Sequence, residues 1–170
     1  MEYTSMDYQF PRAYLDGYTS VECLVPLDGK ARIERPCKGQ GLGLAPYEQL
    51  SSHILDPVEA VVKRRFALYI PWLGKAILVE PGTRVSLVEA FGVQVNHRAR
   101  EGDTVRPGTI LAYILTGKGE TRTLRAGVEG IIVYIAWGLE GERQRYIYVI
   151  APSGSIRILE VDTGGPREAG

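Results

Sequence analysis

Residues 101–118 read EGDTVRPGTILAYILTGK and contain the turns and the strand from which the rest of the fold can be inferred. The order of residue types predicts a turn at residues 101–103, a second turn at Pro107-Gly108 and an apolar strand over residues 109–115. We expect the Asp103 carboxylate to accept hydrogen bonds from nearby backbone amides. A tight turn then follows, with Lys118 at its tip.

The composition predicts a globular protein that binds neither nucleic acid nor membranes. Its 20 basic and 20 acidic residues cancel, so no strong field attracts nucleic acid or anionic lipid. The sequence has no apolar run of about 18 residues and no secretory signal pattern, so we expect a cytoplasmic protein. Asn96 is the only asparagine, and 15 of the 20 basic residues are arginine, which indicates a heat-adapted source.

Short strands separated by glycine and proline predict a mainly β fold. Such a pattern favours a barrel or sandwich over an α/β sheet. We predict an N-terminal α+β extension over residues 1–65, a β-barrel over residues 66–161 and a flexible tail over residues 162–170. The predicted strands cover residues 66–70, 75–80, 85–90, 93–97, 109–115, 122–126, 131–137, 146–150 and 156–161.

The first 65 residues predict one hairpin and two short helices. Asp28-Gly29 supplies the positive-φ residues of a tight turn between strands at residues 21–25 and 31–33. Asp56-Pro57-Val58-Glu59 is typical of a helix start, and a second short helix is predicted over residues 46–53. The loop KGQGLG at residues 38–43 can be a phosphate cradle or a flexible connector, but it lacks the Gly-Lys-Ser/Thr ending of phosphate-binding loops.

An internal repeat relates the two halves of the region after residue 85. Gly92 precedes Gly130 by 38 residues, residues 101–103 precede 140–142 by 39, and residues 110–114 precede 146–150 by 36. Two interlocked copies of such a unit would close a small flattened barrel. The midpoint, residues 116–120, would then be an exposed hairpin that carries Lys118.

Residues 90–135 resemble the biotinyl/lipoyl carrier-domain superfamily. Besides the spacings, Ala126 to Gly130 is similar to the Ala-x-x-x-Gly that follows the hairpin there, and Leu115-Thr116-Gly117-Lys118-Gly119 aligns with the lipoyl tip. The resemblance implies a barrel-sandwich hybrid fold, with Lys118 in the position of the prosthetic-group lysine. The whole chain also resembles an archaeal family of uncharacterised proteins that carry this barrel after an N-terminal extension.

The hairpin tip departs from the motif of modified domains. Leu115 and Gly117 replace acidic residues of the lipoyl tip, and no methionine flanks Lys118 as in biotin domains. We therefore expect a non-catalytic binding or scaffold protein without a cofactor, whose partner is another protein or a second copy of the chain. The alternative is a carrier with lipoate or biotin on Lys118 that serves acyl or carboxyl transfer.

A third hypothesis is an enzyme or ligand-binding protein with a site between the N-terminal segment and the barrel. Its candidate residues, Lys38, His53 and His97, share no motif spacing, and the sequence has no recognisable catalytic triad or metalloprotease motif. We assign no catalytic residue and no metal ligand.

Two further groups of side chains leave alternatives open. Cys23 and Cys37 are free thiols in an ordinary cytosol but can form a disulfide in a hyperthermophile. Four arginines on neighbouring predicted strands form either an anion-binding patch or a solvated strand face; they are Arg122, Arg125, Arg143 and Arg145.

Overall fold

The computed structural model describes residues 10–162, which form two compact units. The first unit comprises residues 10–56, 61–83 and 156–162, and the second comprises residues 57–60 and 84–155. Both consist largely of strands, which confirms the predicted mainly β class.

The strands are numbered along the chain. They are β1 (Arg12–Leu15), β2 (Cys23–Pro26), β3 (Lys30–Glu34), β4 (Leu42–Ala45), β5 (Leu55–Asp56), β6 (Val61–Val62), β7 (Phe66–Ile70), β8 (Lys75–Val79), β9 (Ser86–Gly92), β10 (Gln94–His97), β11 (Thr104–Val105), β12 (Ile110–Leu115), β13 (Thr121–Arg125), β14 (Gly130–Glu140), β15 (Arg143–Ala151) and β16 (Arg157–Asp162). The helical segments are a 3₁₀ turn at Tyr47–Gln49, an α-helix at Leu50–Ile54 and a 3₁₀ turn at Ser153–Ser155.

The first unit is a closed seven-stranded barrel in the order β1-β4-β2-β3-β16-β8-β7. The pair β3–β16 is parallel, and the other six neighbouring pairs are antiparallel. Closure leaves no free sheet edge. A cluster of buried side chains fills this unit: Tyr14, Leu24, Ala31, Leu42, Ala67, Tyr69, Ala76, Leu78 and Leu159.

The structure groups the strands differently from the predicted division at residue 65. Strands β7, β8 and β16 were expected in the same barrel as residues 85–150, whereas they complete a barrel with β1 to β4. Glu160 of β16 pairs with Lys30 of β3, although all residues of the second unit lie between them in the sequence. Strand pairing is non-local, and local periodicity does not specify which distant strand is the neighbour.

The local predictions for the first 65 residues have mixed outcomes. The β2–β3 hairpin is confirmed, with Gly29 at φ 72° in its turn. The short helix predicted over residues 46–53 is also confirmed, as a 3₁₀ turn at Tyr47–Gln49 followed by an α-helix at Leu50–Ile54. The helix predicted from Asp56 is wrong, because β5 and β6 form a small hairpin there, joined by a turn at residues 57–60. Since β-branched side chains favour the extended backbone, Val61 and Val62 override the helix-start pattern.

The second unit contains a three-stranded sheet, β10-β12-β13, and a four-stranded sheet, β11-β14-β15-β9. The predicted pairing between the two sequence halves is confirmed, since β9 pairs with β15, β11 with β14 and β12 with β13. The core of this unit comprises Ala90, Val95, Ala99, Val105, Leu111, Ala112, Ile114, Ala126, Ile132, Ile135, Tyr148 and Ile150.

The repeated glycines of the second unit lie at close backbone approaches. A Cβ atom on Gly92 would lie 2.7 Å from the Leu115 carbonyl oxygen, and one on Gly130 would lie 2.4 Å from the Ala151 carbonyl oxygen. The two carbonyl positions are 36 residues apart, which agrees with the spacing of the repeat. Both glycines are therefore explained by crowding.

Two further predictions concern the cysteines and the chain ends. Cys23 and Cys37 form a disulfide, with 5.3 Å between their Cα atoms. The predicted tail over residues 162–170 begins too early, because Asp162 is the last residue of β16, where it pairs with Arg32 of β3. Residues 163–170 of the tail and residues 1–9 of the predicted extension lie outside the described part of the chain.

Candidate functional site

Lys118 is exposed at the tip of the β12–β13 hairpin. The Thr116 hydroxyl organises the tip by accepting hydrogen bonds from the backbone N–H groups of Lys118 (3.3 Å) and Glu120 (3.2 Å). Gly119, at φ 82°, adopts the left-handed conformation that the turn requires. The hairpin thus holds the lysine on a defined turn with its amine in solvent.

Gly117 is required for a different reason. A Cβ atom on Gly117 would lie 2.7 Å from Nη2 of Arg143 in β15. The Arg143 guanidinium therefore packs against the backbone of the turn, where a larger residue would displace it. It also lies 6.0 Å from the centre of the Phe91 ring, within the range of a cation–π contact.

These side chains surround a surface depression of about 450 Å³, which we call the hairpin-tip recess. It is open to solvent and lies wholly within the second unit. The lining combines three basic side chains, one acidic side chain and one aromatic ring, together with the turn backbone. The charged and aromatic side chains of the lining are Phe91, Lys118, Glu120, Arg122 and Arg143.

The structure separates the four arginines that the sequence suggested as a patch. Arg122 and Arg143 line the hairpin-tip recess. Arg125 instead donates to the Gly108 carbonyl at 2.9 Å. Arg145 forms ion pairs with Glu89 and Glu140. The patch is thus reduced to two arginines beside Lys118.

The turn before this region behaves as predicted. The Asp103 carboxylate accepts a hydrogen bond from the Arg100 backbone N–H at 2.9 Å. Gly102, at φ 90°, provides the left-handed residue of that turn. Asp103 therefore has a structural role in shaping the backbone.

A second polar group of this unit surrounds His97. Its Nδ1 forms a hydrogen bond with the hydroxyl of Tyr148, which in turn donates to the Leu111 carbonyl at 3.3 Å. The Tyr146 ring packs edge-on at 4.3 Å between ring centres. Burial lowers the pKa of His97, although the Glu101 charge opposes this, and burial raises the pKa of Tyr148. The arrangement favours a neutral histidine.

The structure does not group Lys38, His53 and His97 in one site, because Lys38 and His53 belong to the first unit and His97 to the second. Lys38 is exposed in the β3–β4 connection of the first unit. His53 lies near Arg64 (Nδ1 to Nη1, 3.4 Å) and Tyr18, also in the first unit, whereas His97 belongs to the second. Across residues 10–162, no group of three or more His, Cys, Asp or Glu side chains could hold a metal ion, and no helix is long and apolar enough to cross a membrane.

The first unit contains a buried carboxylate, Glu22, whose exposed fraction is 4%. It accepts hydrogen bonds from the Tyr14 hydroxyl (2.5 Å), Arg12 Nη1 (3.1 Å) and Arg35 Nε (3.1 Å). Burial by itself would raise the pKa of Glu22, but these hydrogen bonds and the two arginine charges hold it below its usual value. These three donors satisfy the buried carboxylate within the fold, so the cluster has a structural role.

Sequence reasoning found the basic residues of the recess but missed their common site. Phe91 was not recognised, because an aromatic residue before a glycine carries no local signal for exposure. Arg143 reaches Gly117 because β15 lies beside β9, where Gln144 pairs with Gly92. That pairing joins positions far apart in sequence.

A model of an archaeal family, described as an uncharacterised protein conserved in archaea (DUF2118), matches residues 8–153. No curated protein matches the chain. Because the family match spans most of the 170 residues, the chain belongs to this uncharacterised archaeal family.

Proposed function

We propose that this protein is a non-catalytic binding or scaffold protein whose second unit, built of two sheets, is a barrel-sandwich hybrid like that of biotinyl/lipoyl domains. Its partner is another protein, which docks on the outer part of the β14–β15 hairpin. The observation that carries the proposal is the exposure of two large apolar side chains there, Trp137 (53%) and Leu139 (62%).

The two side chains share one face of β14, because alternate residues of a strand point to the same side. Trp137 pairs in register with Tyr146 of β15, and their rings lie 6.5 Å apart. The face therefore presents two aromatic rings beside an aliphatic group. Tryptophan and tyrosine are enriched among the residues that dominate protein interfaces, since they bury a large area at a small cost in conformational entropy.

The test compares the complexes formed by the wild-type chain and by two variants, each purified from the native host. We expect native mass spectrometry to show a stoichiometric protein complex for the wild-type chain, lost in the Trp137→Ala/Leu139→Ser variant. The matched control is Leu73→Ser, which removes a side chain of 48% exposure from the first unit and should leave the complex intact. A monomeric wild-type protein, or a complex retained by the double variant, would contradict the proposal. A mass of twice the chain would identify the partner as a second copy.

A carrier function is the second candidate, and the position of Lys118 favours it. Lys118 is the only lysine between residues 76 and 170, where every other basic residue is arginine. Its amine is exposed on a hairpin that joins the two paired halves of the unit. A tethered acyl or biotinyl group there would be delivered to a partner enzyme at high local concentration.

Intact mass of the native protein tests this candidate directly. A carrier would show the added mass of lipoate or biotin, and the addition would disappear in Lys118→Arg, which keeps the charge. An unmodified mass for all of the protein isolated from the native host would reject it.

A further inference from the structure

The hairpin-tip recess carries an excess of positive charge, although the positive and negative charges of the whole chain cancel. The chain as a whole has a formal net charge of zero. The recess is lined by three cationic side chains, those of Lys118, Arg122 and Arg143, and by one carboxylate, that of Glu120. Within residues 10–162, none of the three cations forms an ion pair with a carboxylate.

Arg143 is positioned before any ligand arrives. Its guanidinium contacts the Phe91 ring and the backbone of Gly117, which has no side chain to displace it. A cation held in this way loses little conformational freedom on binding, which favours affinity.

The neighbouring Arg145, in contrast to Arg143, is neutralised by acidic side chains. Its guanidinium lies 4.8 Å from the centre of the same Phe91 ring, yet it forms ion pairs with Glu89 and Glu140. Two arginines thus share one aromatic ring, and only Arg145 has acidic partners in the described chain. The difference leaves Arg143 available to an external anion.

We propose that the hairpin-tip recess binds the phosphate group of a small phosphorylated molecule. Three cations and one carboxylate give an excess of two positive charges, and a phosphate monoester carries about −1.5 to −2 at neutral pH. Arginine forms paired hydrogen bonds with phosphate oxygens, and lysine adds a further charge. A single carboxylate matches the charge of the recess less well. The volume of the depression, about 450 Å³, is suited to a small molecule.

This inference goes beyond the protein-binding role, which concerns Trp137 and Leu139, and can be tested separately. The probe is phenyl phosphate at low ionic strength, and benzoate is its carboxylate counterpart. Amide resonances from ¹⁵N-labelled protein report the site, because Gly117 and Gly119 lie in the turn beside the recess. We expect saturable shifts at both glycines with phenyl phosphate, weaker binding of benzoate, and loss of affinity as salt screens the charges.

Variants then identify the groups responsible. Arg143→Gln and Arg122→Gln should each weaken phenyl phosphate binding by about tenfold or more, since each removes a charge-assisted hydrogen bond. Gly117→Ala should also weaken it by displacing the Arg143 guanidinium, while Glu120→Gln should strengthen it. Arg125→Gln is the matched control and should change the affinity by less than about twofold, since Arg125 lies at the end of β13 away from the hairpin tip and donates to the Gly108 carbonyl.

Several results would overturn the inference. They are the absence of saturable shifts at the turn glycines, equal affinities for phenyl phosphate and benzoate, or unchanged binding in both Arg143→Gln and Arg122→Gln. A phosphoserine peptide that binds more tightly than phenyl phosphate would replace the small molecule with a phosphorylated protein as the ligand. The dispersion of each spectrum shows that the variant is folded.

Discussion

The two units of this protein differ in how their charged clusters are paired. In the barrel of the first unit, Glu22 is buried and accepts hydrogen bonds from Tyr14, Arg12 and Arg35, so its carboxylate is occupied within the fold. In the second unit, Arg122 and Arg143 lie exposed beside Lys118, without an acidic partner among the described residues. The first arrangement stabilises a fold, whereas the second leaves charge available for binding.

The largest effect is expected from breaking the buried cluster of the first unit. Glu22→Ala removes the acceptor of the Tyr14 hydroxyl, which is fully buried, while Arg12 and Arg35 can still reach water. We expect a loss of about 3 kcal/mol in the free energy of unfolding, measured with denaturant. Glu160→Gln, which affects an exposed pair with Lys75, is the control and should change stability by less than about 0.5 kcal/mol. Similar losses for the two variants would show that the cluster is not a stabilising feature.

The next effect concerns the crowded glycine that begins β14. Gly130→Val places side-chain atoms against the Ala151 carbonyl oxygen, so we expect a loss of about 2 kcal/mol in the free energy of unfolding. Backbone strain from a positive φ is not the cause, because Gly130 is not among the glycines with positive φ. Gly138→Val on the same strand has no atom within 4 Å of its Cβ position and should be nearly neutral. Equal losses at both positions would mean that strand propensity, and not crowding, determines the cost.

A smaller effect is expected at the hairpin tip. Lys118→Ala should change the free energy of unfolding by less than about 0.5 kcal/mol, because a solvated turn side chain contributes little to folding. The same variant should weaken phenyl phosphate binding, which separates stability from function in the second unit. Thermal unfolding provides the measurement, and a large destabilisation would show that the amine has a buried partner.

The smallest effect is a pH dependence from His97. Since burial lowers its pKa in the folded protein below the ordinary value of 6.5, the unfolded chain binds more protons at acidic pH. The contribution of His97 is therefore present above pH 6.5 and is lost as the pH falls through the folded-state pKa. We expect the melting temperature of the wild-type protein to decrease over this window more steeply than that of His97→Gln. If the melting temperatures of the wild type and of His97→Gln fell equally with pH, the role assigned to the burial of His97 would be contradicted.

Local features of the fold were predictable from particular residues. Asp28-Gly29 predicted the β2–β3 hairpin, and the nine predicted strand segments after residue 65 correspond to observed strands, because alternating side chains and glycine turns encode extended structure locally. The two-residue strand β11 was missed, since Thr104 and Val105 are too few to show a period. The helix predicted at Asp56 failed for the opposite reason: an apparent start signal was outweighed by the pairing of Val62 with Leu55.

The candidate site was only partly predictable. Lys118 was identified because turn residues surround it, and Arg122 and Arg143 were noted as basic residues on strands. Their common recess requires β15 to lie beside β9, which places Arg143 against Gly117. No local pattern distinguishes Arg143 from Arg145, although one lines the recess and the other is neutralised by two glutamates.

The sequence by itself determined the mainly β class, the repeated halves of the second unit and the exposed lysine between them. These features depend on periodicity, turn chemistry and spacing, which act over a few residues. Only the tertiary structure decided that β16 closes the first barrel beside β3, and which arginines remain without acidic partners. Both depend on contacts between residues far apart in the chain, where many pairings satisfy the same local pattern and the packing of the whole unit selects one.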